Sequence, residues 1–320
     1  MATKFNRRVM FIEQGYKGNI GLWKYWIPIL GFSAMMLVNY IMTINSPVDV
    51  DVMMKSVIDK IGLNLFFIMA IGPLVAGFFI LLGWVYLVHG QSITSLTTSR
   101  KKVDWKRMLF SFSLWGGITL LMMLADIMLS PDDYVFNFKP VPFLILLVMA
   151  IVLIPLQTSF EEYMFRGHLM QGLGILAKNR WVPLLVTSVL FGVMHAANPE
   201  VGKIGYGIMV FYIGTGIFLG ILTLMDEGLE LALGFHAANN LTAALLVTAD
   251  WTAFQTNSIY KDVSAPTLGW DIFIPVLVIY PILLLIFAKK YGWTNWKERL
   301  TGSVMDKEVF LAQNIKETHV

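Results

Sequence analysis

Eight apolar stretches, most of them about as long as a bilayer is thick, leave this chain few ways to fold. They cover residues 22–44, 63–88, 108–129, 141–160 and beyond, 182–197, 204–225, 229–247 and 272–288, the fifth being the shortest. Hydrocarbon offers a backbone N–H or C=O no water to bond, so a spanning segment satisfies itself as a helix of about 20 residues. The expected fold class is therefore all-α, a polytopic membrane helix bundle with about eight transmembrane helices. A mean hydropathy of +0.67 with only 14% charged residues excludes a soluble core of this length. The first stretch ends in Thr43-Ile44-Asn45-Ser46-Pro47 without a small-x-small cleavage pattern, and reads as a retained helix.

Eight crossings put both termini on one side, and the basic residues choose the side. Nineteen of the 24 lysines and arginines fall at the N-terminus, in 100–107, in 166–180 and beyond 288, all on one side of the expected bundle. Lys55, Lys60, Lys139, Lys203 and Lys261 fall on the other, among acidic loops that hold Asp49, Asp51, Asp132 and Asp133. The positive-inside rule then places both termini in the cytoplasm. No segment is long and polar enough for a separate soluble domain, so 1–320 reads as one integral membrane domain with a polar C-terminal tail at about 290–320. The absence of an internal repeat argues against transporters built from related halves. With no cysteine, disulfides, thiolate metal sites and a cysteine nucleophile are excluded. The small net charge of +3 points to no nucleic acid.

Against this apolar background, ionisable side chains inside the spans stand out, because each costs roughly 2.5–3.5 kcal/mol to insert at a helix centre. Glu161 and Glu162 continue from the fourth stretch, followed by Arg166; His195 closes the fifth; His236 and Asn240 lie in the seventh. Glu162 and Arg166 are an i,i+4 pair of opposite charge that lowers the cost of burying both. Adjacent helical residues point about 100° apart, so Glu161 is left to face another partner and is the candidate general base. His236 and Asn240 share a helix face and can hold a carbonyl oxygen as it becomes an oxyanion. Small residues at Ala237 and Ala238 admit a close neighbour, and Phe191, one turn before His195, can wall a pocket. His168, seven residues after Glu161, returns near its face and is a further candidate. Asp126, Asn64, Asp226, Glu227 and Glu230 read as structural. One tension remains: His195 lies about 20 Å along the fifth helix and His236 only about 10 Å into the seventh. A later helix start, a strong tilt, or an interfacial 167–180 segment with a re-entrant path at Pro183 would each relieve it.

The ordered trio Glu161-Glu162-x-x-x-Arg166, Phe191-x-x-x-His195 and His236-x-x-x-Asn240, on successive apolar helices, resembles the CPBP family. That family groups CAAX prenyl proteases with bacteriocin-processing and immunity-associated membrane proteins. The motif-bearing core spans about 141–247. The resemblance implies an intramembrane endopeptidase opening towards the cytoplasmic leaflet, in which Glu161 with His195 activates a water while His236 and Asn240 stabilise the tetrahedral intermediate. Both a glutamate-dependent and a metallo-endopeptidase mechanism stay open; a divalent metal such as zinc would be held by Glu161, His195 and His236, though no His-Glu-x-x-His helix is present. The implied partners are the lipid bilayer and a membrane-anchored peptide or protein substrate. The expected setting is a bacterial plasma (inner) membrane. The alternatives are a non-catalytic binding or bacteriocin-immunity protein that uses the same cluster structurally, or a proton-relaying transporter.

Overall fold

Every one of the eight apolar stretches is helical. The computed structural model of the protein describes residues 11–318; Lys4, Arg7 and Arg8, counted among the basic residues above, lie outside them. In chain order the helices are α1 (Leu22–Ile44), α2 (Val50–Ile61), α3 (Leu63–Trp84), α4 (Ile93–Thr97), α5 (Trp105–Leu129), α6 (Pro140–Glu162), α7 (Met170–Ala177) and α8 (Trp181–Met194). They continue as α9 (Pro199–Ile204), α10 (Met209–Asp226), α11 (Glu230–Leu246), α12 (Trp270–Ile274), α13 (Tyr280–Tyr291), α14 (Trp296–Thr301) and α15 (Lys307–Thr318). Among the described residues, six helical runs are long and apolar enough to cross a membrane. The other two expected spans, α8 with 14 residues and α11 with 17, extend about 21 and 26 Å at 1.5 Å per residue. They are short of a hydrocarbon core about 30 Å thick.

The fourth span is longer than its apolar stretch. A π-helical segment, Tyr163–Leu169, joins α6 to α7 without a break, so the helical run covers 38 residues, Pro140–Ala177. At 1.5 Å per residue this is about 57 Å, nearly twice the hydrocarbon thickness. That length removes the tension over His195. From Glu161 the chain descends about 24 Å to Ala177, turns, and climbs about 21 Å along α8, which returns His195 to the level of Glu161. Neither a re-entrant path nor a late helix start is needed: α8 runs antiparallel to α10, with Ser188 against Gly216 and Leu184 against Gly220, so the α7–α8 turn lies level with the turn between α10 and α11.

The α7–α8 hairpin is packed by the two described ends of the chain. A 3₁₀ helix, Ile12–Lys17, lies against α7, and α15 lies against that 3₁₀ helix, with the Tyr16 and Phe310 rings 6.0 Å apart. Close contact needs small residues here: a methyl group added at Gly174 would stand 2.5 Å from the Ile12 side chain. Ion pairs tie the same end together. Arg180 meets Glu13 at 2.7 Å, Lys178 meets Asp306 at 2.8 Å, Arg299 meets Glu227 at 3.3 Å, and Asp226 takes both Arg100 and Arg107. Asp226 and Glu230 are thus buried members of an ion network. We call this the basic end.

The far end carries a feature that alternation of side chains could not reveal. Three strands of three residues, β1 (Tyr134–Phe136), β2 (Val247–Ala249) and β3 (Tyr260–Asp262), form a sheet ordered β1-β3-β2. β1 is antiparallel to β3 and β2 is parallel to it. Here too are α2 and α9, joined by an ion pair between Lys203 and Asp51. Asn64 donates to the Pro142 carbonyl and accepts from Asn257, and Asp126 accepts from the Tyr134 hydroxyl, so both are local structural residues.

Between the two ends the helices pack through small residues and flat rings, as expected where lipid removes the hydrophobic drive for association. α11 lies on α5 and α6, and α10 on α8. Trp115 of α5 stacks on Phe235 of α11 at 4.5 Å. One residue earlier, Gly234 brings the α11 backbone onto α5 so closely that an added methyl group would meet the Met108 carbonyl and stand 3.0 Å from the Phe112 nitrogen. Both contacts are backbone, so neither can swing away. Gly234→Ala is therefore expected to push α11 off α5 and destabilise the bundle by about 1–3 kcal/mol. Thermal unfolding of the purified protein in detergent should show the loss, and an unchanged midpoint would count against this packing.

Candidate functional site

The site is organised around Glu162, a carboxylate with no exposure to solvent. Its Oε1 atom accepts from Arg166 Nη1 at 3.0 Å and from His236 Nδ1 at 2.8 Å. Arg166, also fully buried, donates from Nη2 to the Gly216 carbonyl of α10 at 3.1 Å and lies 4.2 Å over the face of Phe191. One carboxylate oxygen thereby links α6, α10 and α11. The ion pair is not saturated: Glu162 Oε2 and Arg166 Nε find no hydrogen-bond partner. Such unmet atoms cost stability, and functional sites are where they persist.

Glu161 faces elsewhere, as adjacent helical residues must. Its Oε1 accepts from Gln157 Nε2 at 2.5 Å, while Oε2 lies 3.7 Å from His236 Nε2 and has no hydrogen bond. Gln157 opens a chain of amides. Trp115 Nε1 donates to Asn239 Oδ1 at 3.1 Å, Asn239 Nδ2 to Asn240 Oδ1 at 3.2 Å, Asn240 Nδ2 to Gln157 Oε1 at 3.1 Å, and Gln157 Nε2 to Glu161. An indole N–H can only donate and an ionised carboxylate can only accept. The two ends of the relay therefore oblige all three carboxamides to point the same way. Each Nδ2 or Nε2 keeps a second N–H.

His195 closes α8. Its Nδ1–H donates to the Phe191 carbonyl at 2.8 Å, which leaves Nε2 as the free atom of the ring. The ring is stacked on Tyr212 at 4.4 Å and lies within electrostatic reach of Glu161 and His236. Tyr212 is held in turn by Glu200 at the start of α9. Glu200 Oε1 accepts from the Tyr212 hydroxyl at 2.5 Å and from Asn198 at 3.0 Å, and Oε2 accepts from the Ala253 N–H at 3.1 Å. One carboxylate thus supports the face on which His195 lies and pins the 250–254 turn beside it.

These groups line a cavity of about 830 Å³. Glu161, His195, His236 and Asn240 reach it together with Gln157, Asn239, Tyr212 and Glu200; Glu162 and Arg166 stand behind the wall. Phe191 is part of the wall, as its spacing implies, and Met35, Met36, Met69, Met123 and Met194 add an apolar, deformable lining. No lysine or arginine is among the lining residues. His168 does not reach the cavity. Its ring packs 5.0 Å from both Tyr25 and His89, buried on another side of the helix. The cause is the π segment at 163–169, whose wider turn takes more residues per revolution than an α-helix. Seven residues after Glu161 the chain has therefore not returned to the Glu161 face.

The donor set expected for zinc has suitable atoms but does not gather them around one point. A zinc site needs nitrogen and oxygen donors at about 2.0–2.2 Å from one point. Nδ1 of His236 is bonded to Glu162 and Nδ1 of His195 to a backbone carbonyl, as in metal-ligating histidines, which leaves both Nε2 atoms and Glu161 Oε2 as the available donors. Among the described residues, no three His, Cys, Asp or Glu side chains converge as a metal would require.

Sequence reasoning missed Gln157, Asn239, Trp115, Tyr212 and Glu200. Gln157 carried a usable signal, being a carboxamide inside an apolar run one turn before Glu161. Tyr212 and Glu200 carried none, since their part depends on where α9 and α10 lie against α8.

Comparison with known proteins adds two likenesses. Residues 140–242, which hold all seven motif residues, match the model of the type II CAAX prenyl endopeptidase Rce1-like family. The uncharacterized protein YyaK of Bacillus subtilis (strain 168) is 31% identical over 222 residues, which cover 67% of this chain and 71% of that protein. No solved structure matches the chain.

Removing one partner of a buried ion pair costs about 3–5 kcal/mol, because the other charge is left uncompensated. Arg166→Met should destabilise the protein by that amount. Glu162→Met with Arg166→Met should recover most of it while leaving His236 without its Nδ1 acceptor. A double-mutant cycle on unfolding in detergent measures the coupling, and additive losses would show that the pair is not a unit.

Proposed function

Because the chain belongs to the type II CAAX prenyl endopeptidase Rce1-like family of intramembrane proteases, we propose that it is an integral membrane endopeptidase that cleaves a membrane-anchored peptide or protein by glutamate-activated water. The single observation that carries this reading is the split between the two glutamates: Glu162 is behind the wall, holding Arg166 and His236 through one oxygen, while Glu161 lines the cavity with an unbonded oxygen beside His236. The setting proposed is the plasma membrane, with both termini cytoplasmic.

In the proposed mechanism each group has a separate task. Glu161 Oε2 takes a proton from a water, and His195 Nε2 accepts the water's other hydrogen bond and aims it. The oxygen adds to the scissile carbonyl carbon as the C=O electron pair moves onto oxygen. The second N–H of Asn240, held in place by Gln157 and Asn239, donates to the developing oxyanion. Glu162 fixes the tautomer of His236 by accepting from Nδ1, so that Nε2 stands 3.7 Å from Glu161, ready to take over its proton. The imidazolium so formed is stabilised by Glu162 and is a second donor to the oxyanion. When the C–N bond breaks, that proton passes to the leaving amine. Arg166 touches no reacting atom; it keeps Glu162 ionised and oriented. No step runs through a metal.

Two outcomes test the reading. New peptide N-termini in membranes from cells carrying the intact protein should disappear with Glu161→Gln at matched expression, and purified protein should lose about 10²- to 10⁴-fold in rate, the usual share of a general base. Identical N-terminal profiles would remove the peptidase reading. Gln157→Leu, which cuts the amide relay at its last link, should lower kcat with little change in KM, because it loosens groups that act on the transition state rather than on bound substrate. An unchanged kcat would mean that Asn240 is held without the relay.

A further inference from the structure

The cavity has a floor and a mouth, and they lie at opposite ends of the bundle. Towards the basic end it is sealed: Glu162, Arg166, Leu96, Leu169 and Leu229 beneath the site are each at most 1% exposed. Below them the ion network of Arg100, Arg107, Asp226 and Glu230 ties α5 to the turn between α10 and α11. No residue of that network lines the cavity.

Apart from groups beside this floor such as Phe165 and Thr215, the other lining comes from the far half. α1 contributes Phe32 to Asn39 from its second half and α3 contributes Met69 to Leu74 from its first. The mouth is built from Asn198 and Glu200 after α8, from 247–254 after α11, and from Asp262 in β3. These segments belong to the end that holds only Lys55, Lys60, Lys139, Lys203 and Lys261, whereas the remaining lysines and arginines gather at the other end or in the N-terminal segment. α1, the helix beside this opening, is weakly embedded, with about 11% of its span buried, the same share as α5.

From this placement we propose that the chamber opens to the extracytoplasmic side, and that its substrate is a membrane-anchored polypeptide whose cleavage site stands at the outer leaflet. The positive-inside rule sets the direction, because the basic end stays in the cytoplasm. This is the reverse of the cytoplasmic opening that the motif resemblance implies. It rests on the peptidase reading for the word substrate, but the direction of the opening stands or falls by itself. A cytoplasmic peptide would have to pass the buried Glu162–Arg166 pair to reach Glu161. A segment anchored from outside meets the methionine-lined wall first and the catalytic groups at the bottom.

The chain has no cysteine, so single-cysteine variants can be made directly in the full-length protein. Thr252→Cys marks the mouth, Thr267→Cys an exposed position on the same loop, and Thr301→Cys an exposed position at the basic end. Each is treated with a membrane-impermeant maleimide in intact cells and after permeabilisation. The expected result is labelling of Thr252→Cys and Thr267→Cys in intact cells, with Thr301→Cys labelled at least ten-fold more after permeabilisation. The opposite pattern, or equal labelling of both ends in intact cells, overturns the proposal. Labelling of Thr267→Cys without Thr252→Cys also overturns it, since the loop would then be outside but the mouth closed. The readout needs no cleavage, so a failed protease assay and a wrongly assigned opening are told apart.

Discussion

The structure depends on one buried carboxylate oxygen. Glu162 Oε1 holds Arg166 and His236 at once, and Arg166 carries the link on to the α10 backbone. Burying ions costs several kcal/mol each unless partners are supplied with good geometry. Three helices that would otherwise slide along one another in lipid are thereby held to one register. The same contact sets which nitrogen of His236 is free, so the interaction that fixes the packing also fixes the chemistry offered to the cavity.

Helix length does the next share of the positioning. Because α6 and α7 form one run through a π turn, the chain can descend past the bilayer, reverse, and bring His195 back beside Glu161. The hairpin this creates would be exposed but for the 3₁₀ helix at 12–17 and α15, which cover it. π turns recur at functional sites, and here the turn has a definite effect: Arg166 stays with Glu162, while His168 is rotated away from Glu161 into contact with Tyr25 and His89.

The two ends of the bundle have different physical characters. One is a dense layer of ion pairs and buried loops; the other is a small sheet and a turn pinned by Glu200 around a cavity mouth. Between them the relay from Trp115 to Glu161 crosses α5, α11 and α6. Its direction is imposed by an obligate donor at one end and an obligate acceptor at the other. Such a relay aligns the cavity-facing amides without any charge of its own.

How much of this was legible follows from which interactions are local. Apolar runs must be helices in lipid, so the all-α bundle and its helical stretches could be read directly. Charged residues in those runs are costly enough to be visible one by one. Glu161, Glu162, Arg166, His195, His236 and Asn240 were accordingly picked out, with the i,i+4 pairing of Glu162 and Arg166. Asn239, Tyr212 and Glu200 were not, because each acquires its role from a partner on another segment, and Gln157 was passed over although it stands one turn before Glu161 on the same helix. His168 was misplaced because seven-residue periodicity assumes an unbroken α-helix, and backbone widening has no side-chain signature. Amino-acid sequence alone determined that this chain folds in a membrane and which ionisable groups it carries there. Tertiary structure alone decided which of those groups meet, and at which end the cavity opens, because those depend on helix lengths, rotations and contacts between segments distant in the chain.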